Sequence, residues 1–271
     1  MALELPPELR GRPAVLVIAH PGHELRVHGW LELARPEVWV LTDGAGHGER
    51  GRLDSTAAVL RRAGASVGPV FGAFSDQETY AMLLGGHVEA VAGLVQRLAA
   101  RLAEQRELYV VADALEGFNP SHDLCRLVVD TAADLARRSS GFPVESLDFP
   151  LEATPDTAGS LGAADVRLLL DAAAVERKLR AAREYPELAG EVSRALASHG
   201  EGAFAVERLR PALDPRSIAE RAGDPPLYER YGEQRVAAGH YPLVLRLREH
   251  FLPFAAALAR TVGGYATCGS S

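Results

Sequence analysis

Three groups of residues in this chain have the types and spacing to do chemistry. His20, His23 and Glu24 follow the apolar run Ala14–Ile18 in the segment AVLVIAHPGHE. Asp43 follows a second run, EVWVLT, and opens a glycine-rich loop, GAGHGERG, over 44–51. Asp113 ends a third run, LYVVAD, and Glu116, Asn119, His122 and Asp123 follow it. Imidazoles and carboxylates at the end of a buried strand are costly to keep there unless they bind something. His20 and His23 are a loose pair by themselves, because a single histidine at a strand end is ordinarily a hydrogen-bonded structural residue. With His122 delivered by a neighbouring strand, three imidazoles surround one open position. That is an arrangement suited to catalytic zinc, with water in the fourth place.

The elements that must position these groups alternate. The continuous, β-branched runs at 14–19, 37–42, 67–71 and 108–113 predict strands buried on both faces, with a fifth at 143–149. Helical spacing is predicted over 24–34, 53–63, 77–104 with a weak point at Gly85-Gly86, and 120–138. Asn119 before Pro120 is a helix start: Asn caps, and Pro sits where no amide hydrogen is needed. This β–α order predicts an α/β, Rossmann-like, doubly wound and mostly parallel sheet. Right-handed crossovers put the carboxyl ends of its strands on one rim, where ligands bind in such sheets. After about residue 150 the pattern changes. We expect a loop over 151–162, helices over 163–183 and 186–198, a strand at 203–210, an irregular stretch over 211–226 and a closing helix over 241–262. The reading is one domain, with a core over 1–150 and a C-terminal helical cap and closing helix over 151–262.

Composition narrows the function. Apolar residues at 47% and charged residues at 24% are ordinary for a globular chain of 271 residues. A net charge of -7 argues against nucleic acid or an anionic membrane as the main partner. Cys125 and Cys268 make neither a disulfide framework nor a thiolate zinc site, which suits a reducing cytoplasm. No signal peptide or membrane span is expected. A homo-oligomer is left open. Gly46, Gly48 and Gly51 match the dinucleotide fingerprint by spacing, but they follow the second strand and a charged segment intervenes before the helix. The loop reads instead as flexible backbone near the substrate, with Arg50 or Arg52 facing it. No serine nucleophile elbow occurs. Of the other histidines, His28 and His250 are expected at or near the surface, His47, His87 and His199 in solvent, and His240 is the one that could fold over the rim.

AHPGHE at 19–24 resembles the AHPDDE motif of the PIG-L/LmbE deacetylases, and NPSH at 119–122 resembles their HPDH motif. Thr42-Asp43-Gly44 and the segment 231–253 resemble the corresponding parts of bacterial members. The resemblance spans most of 13–255 but is specific only in the two short motifs. It implies a Rossmann-like fold and a zinc-dependent amide hydrolase that deacetylates N-acetylglucosamine-type substrates. Carried over by position, the zinc ligands are His20, His23 and His122, with one aspartate of the family pattern replaced by histidine. The family's general base falls on Gly22, and its oxyanion-stabilising histidine falls on Asn119. Glycine takes no proton; asparagine donates a hydrogen bond but cannot protonate a leaving amine. Asp43, Glu24 and Glu116 are the candidate replacements for the base. Asp43 is preferred, Asn119 is assigned to the oxyanion, and Glu24 is expected to orient a ligand histidine. The function expected is hydrolysis of an N-acyl group on a sugar-like or small amide substrate. The alternative is a diverged relative that keeps a metal or ligand site without hydrolysis.

Overall fold

The computed structural model describes residues 4–46, 51–152, 162, 165–212 and 225–268, with side chains to 263. Seven strands form one sheet: β1 Ala14–Ile18, β2 Glu37–Thr42, β3 Ser66–Phe74, β4 Tyr109–Asp113, β5 Glu145–Phe149, β6 Val166–Leu169 and β7 Val206–Pro211. Their order is β3-β2-β1-β4-β5-β7-β6. The first five are parallel, and β7 and β6 are added antiparallel at the β5 edge. The mixed, mostly parallel α/β architecture read from the sequence is the one observed.

The period of two explains the layering. Val15 and Val17 point to one face of the sheet, with Val110, Ala112, Trp39 and Leu41. Leu16 and Ile18 point to the other, with Val38, Val40, Tyr109 and Val111. Both faces are apolar because helices cover both. On the first face lie α4 Glu89–Ala103, α5 Pro120–Ser140 and α9 Leu252–Cys268. On the second lie α1 His28–Ala34, α2 Leu53–Ala63 and α6 Ala172–Arg183. The remaining helices are α3 Asp76–Gly85, α7 Ala189–His199 and α8 Leu227–Ala237. Among the described residues, no helix is long and apolar enough to cross a membrane.

Several sequence expectations are corrected. The helix expected over 163–183 is β6 followed by α6. Asp171 separates them, its Oδ1 accepting the Ala174 amide at 2.8 Å as a helix cap, while Val166–Leu169 pairs with β7. The residues after 150 are therefore not helical only; they complete the sheet. The closing helix begins with a π-helical turn at Leu247–Phe251 rather than at 241, because Pro242 disfavours helix before it and Glu229 binds the Leu247 amide. Helix α8 carried no helical expectation. The helix expected over 24–34 is a 3-10 turn, His23–Val27, leading into α1. The third strand runs on to Phe74, past its expected end at 71. Most of the expected loop at 151–162 and of the irregular stretch at 211–226 lies outside the described residues.

A buried ion pair fastens the later chain to the first β–α unit. Glu207, on β7, accepts the amides of Gly29 and Trp30 at 2.8 Å each and the Lys178 Nζ–H at 2.8 Å. Both side chains are almost wholly buried. His28, expected near the surface, is 3% exposed beside this cluster, because α6 and β7 close over it. Removing one partner of a buried pair leaves a desolvated charge behind. Glu207→Ala is expected to lower unfolding free energy by about 3–5 kcal/mol. Lys178→Met is expected to cost less, since Glu207 keeps two amide donors. Urea unfolding of the two variants measures both.

Candidate metal centre

Strands β1 and β4 are adjacent and in register, Val17 opposite Ala112, so the residues that follow them meet at one end of the sheet. His20 and His23 leave β1, and His122 lies in the first turn of α5 beyond β4. Their rings converge: centroids are 5.3 Å apart for His20 and His23, 5.1 Å for His20 and His122, and 4.6 Å for His23 and His122. The adjacency of the two strands, on which the third imidazole depended, is what brings them together.

Each ring has a distinct surrounding. His23 Nδ1 lies 2.9 Å from Asp113 Oδ2, which also accepts the Ala19 amide at 2.8 Å. Asp113 is fully buried at the end of β4, and that burial pushes its carboxyl up to about 7, against the pull of the Ala19 amide, His20 and Arg126. His20 Nδ1 is 2.8 Å from the Thr42 hydroxyl and 3.0 Å from Asp76 Oδ1, the latter an ion-pair distance rather than an aligned hydrogen bond. Burial would raise the Asp76 carboxyl; contact with His20, the Gly46 amide and Thr42 outweighs it and holds Asp76 down at about 2. His122 Nδ1 is buried and has no hydrogen-bond partner. Burial, and then the neighbouring imidazoles, push His23 and His122 well below the ordinary histidine range, so both are neutral at pH 7.

Neutral imidazoles are the form that ligates a metal, and carboxylates behind them are the usual means of orienting such ligands. Three imidazoles on one tetrahedral ion, with Zn–N near ~2.1 Å, have ring centroids about 5 Å apart. The donor types, the ring spacing and the orphaned His122 nitrogen fit a zinc ion. Among the described residues, however, no group of three or more His, Cys, Asp or Glu side chains stands ready to hold a metal ion. The fit is one of donor chemistry and ring spacing.

The other sequence candidates fall in different places. Asn119 caps α5, its Oδ1 accepting the Ser121 amide at 2.8 Å, which leaves its amide N–H groups as donors. Asp43 directly follows Thr42, and its Oδ1 accepts the Ala45 amide at 3.0 Å in a tight turn. Glu24 does not orient a histidine. Its oxygens accept the Gly22 amide at 2.8 Å and the Thr56 hydroxyl at 2.9 Å, and Thr56 in turn contacts the Tyr185 hydroxyl. It ties the His20–Glu24 loop to α2, and burial raises its carboxyl to about 7. Glu116 accepts the amides of Leu151 and Glu152, fastening the chain after β5. His87, His199 and His240 are exposed, and His250 is half-buried. His47 and Arg50 lie outside the described residues.

Asp76 was missed by the sequence reading. Ending the third strand at 71 and beginning the next helix at 77 left Asp76 in an unassigned connection; the strand in fact runs to Phe74 and α3 starts at Asp76. The legible signal was Ser75-Asp76-Gln77-Glu78, a capping box whose Ser75 and Glu78 side chains close the start of α3 and so fix Asp76 on the rim.

At Gly22 the backbone has φ +106, and a Cβ built there would stand 2.5 Å from Leu188 Cδ1. Leu188 and Tyr185 fill the space that a side chain at this position would need.

No family model matches the chain, and no curated protein matches it. Among solved structures, the chain is similar to the conserved protein TT1542 from Thermus thermophilus: 20% identity, over 74% of this chain and 95% of that one, with a TM-score of 0.52. A second is the zinc-inhibited form of teicoplanin deacetylase Orf2, at 13% identity over 73% and 97% of the two chains, with a TM-score of 0.44. The likeness to TT1542 is one of fold.

Gly22→Ala is expected to destabilise the protein by about 1–2 kcal/mol for the left-handed backbone alone, with a further loss from the contact with Leu188. Thermal unfolding of Gly22→Ala, Leu188→Ala and the double variant separates the two: the coupling between the substitutions reports the clash, and the rest of the Gly22→Ala loss is the backbone cost.

Proposed function

We propose that this chain is a metal-dependent hydrolase of the PIG-L/LmbE type that removes an N-acyl group from a sugar-like or small amide substrate. The observation that carries the reading is the set of three converging imidazoles, two with a carboxylate behind them and the third with a buried nitrogen left without a partner. His20, His23 and His122 would hold zinc. A zinc ion there supplies an electrophile for the acyl carbonyl and lowers the pKa of water toward ~7.

The chain's own groups do the rest. Asp113 and Asp76 hold His23 and His20 in place from behind. The Asn119 side-chain amide, fixed at its oxygen by the Ser121 amide, donates an N–H to the oxyanion of the tetrahedral intermediate. Asp43 accepts the proton of the attacking water through the oxygen not engaged by Ala45. Asp76, held strongly acidic, is the poorer proton acceptor and the better orienting group. We read the whole chain as one functional unit, since β6 and β7 complete the sheet that β1–β5 begin. The substrate is a small molecule rather than nucleic acid, in keeping with the net charge of -7. A reducing, cytoplasmic setting belongs to the same reading, with Cys125 buried and free.

A second reading is favoured by one observation. The position of the family's base is a glycine whose side-chain space is occupied by Leu188. A protein that binds a ligand at the three imidazoles without hydrolysing it would have this arrangement.

Protein purified without added metal should carry zinc at about one ion per chain, and His20→Ala and His122→Ala should lose it. Absence of zinc from a folded wild-type protein would reject the metal centre. Asp76→Asn should weaken zinc affinity by about 10–100-fold, measured by competition with a chromophoric chelator. Asp43→Asn should keep zinc and slow amine release from N-acetylglucosamine-type substrates by about 10²–10⁴-fold. Full zinc occupancy with no amine released from any such substrate would favour the second reading.

A further inference from the structure

Phe118 is a large apolar side chain that stays in water beside the imidazoles. It lies in the connection between β4 and α5, directly before Asn119 and one helical turn before His122. Its ring centroid is 6.3 Å from that of His122, with the two planes 30° apart. The phenyl ring therefore stands little farther from His122 than His20 does, at 5.1 Å. Contact with His122 does not bury it: Phe118 remains 40% exposed.

A single exposed phenylalanine needs no explanation where its loop can fold it inward. Here the backbone is tied down on both sides. The amides of Glu116 and Gly117 both donate to Asp123 Oδ1 at 3.2 Å. The Gly117 carbonyl accepts the Tyr228 amide at 3.2 Å, and Gly117, left-handed at φ +66, turns the chain immediately before Phe118. On the other side, the Asn119 carbonyl accepts the His122 amide at 3.1 Å and its Oδ1 the Ser121 amide at 2.8 Å. The bonds that position Asn119 and His122 thus also fix where the phenyl ring starts. Holding apolar surface in water costs free energy, and a ligand that covers the ring recovers it.

The shape of the ring selects what covers it. A phenyl ring offers a flat face of negative potential to the positive edges of other groups. The C–H face of a pyranose presents several such hydrogens in one plane, with its hydroxyls turned outward around the edge. An acyclic amide presents no such plane. We infer, on the reading of the imidazole cluster as the reacting centre, that Phe118 is the platform on which a pyranose ring of the substrate stacks. The N-acyl group is then carried by a sugar rather than by an acyclic amine, which decides between the two substrate classes that reading leaves open.

The test is a saturation-transfer NMR titration of two probes against the zinc-supplemented full chain. One is N-acetylglucosamine; the other is N-acetylethanolamine, which has the same acetamido group and a hydroxyl but no ring. N-acetylglucosamine should bind about five- to tenfold more tightly, as expected for one aromatic contact. Phe118→Ala should bring the two affinities together while zinc content and melting temperature stay those of the wild type. Phe118→Trp, which keeps a flat face, should retain the preference, and Phe118→Leu, apolar without one, should fall between. Equal binding of the two probes by the wild type, no binding of either, or a preference that survives in Phe118→Ala or in full in Phe118→Leu overturns the inference. So does loss of zinc from folded Phe118→Ala, which would make the ring a prop for His122. Binding is read without turnover. A ring preference that depends on Phe118, in a protein that releases no amine, would count against hydrolysis and not against the platform. Amine release from both probes with equal affinities would do the reverse.

Discussion

Asp113 is the residue on which the site depends. It ends β4, it is fully buried, and one of its oxygens accepts both the Ala19 amide and the His23 ring nitrogen. A buried carboxyl needs such partners, because leaving it without hydrogen bonds would cost several kcal/mol. The chain can give Oδ2 these partners only if β1 lies beside β4, and Oδ1 is left buried without one. The same contact that stabilises the strand pairing therefore turns His23 toward His20 and His122. Fold and site are coupled here through one side chain.

The other imidazoles are held by the same kind of device, from different strands. Thr42, at the end of β2, and Asp76, just after β3, meet at His20. The parallel order β3-β2-β1-β4 gathers all of these strand ends at one rim, and the sheet's connections diverge on either side of β1 and β4. That divergence opens a crevice in doubly wound sheets. The residues after 150 complete the setting from behind. Glu207 and Lys178 lock α6 and β7 onto the start of α1, and Leu188 and Tyr185 close against the His20–Glu24 loop.

Gly22 is where resemblance and structure bear on each other most directly. By resemblance a carboxylate belongs there; in this chain the backbone is left-handed and Leu188 occupies the adjoining space. A carboxylate placed at this position would require moving Leu188. The carboxylates at this rim, Asp43 and Asp76, follow the neighbouring strands β2 and β3.

Short-range pattern was enough to specify the parallel core. Runs such as AVLVI and YVVA are apolar at every position, which only a doubly covered strand satisfies, and so the strands and the His20, His23 and His122 positions after them were legible. Asn119-Pro120 announced the start of α5 for an equally local reason. Long-range pairing settled the rest, and no local window carries it. β3 reaches Phe74 because β2 offers it a partner, and that extension is what brings Asp76 to the rim. Val166–Leu169 is a strand because β7 pairs with it, although its own composition reads as helix. His28 is buried because Glu207 and Lys178, distant from it in the chain, fold over it. Glu24 stands next to His23 in sequence yet binds Thr56, since the direction of a side chain at a 3-10 turn depends on what packs against it. Local periodicity fixes which residues are buried; only the packed neighbours fix which buried polar group each one meets.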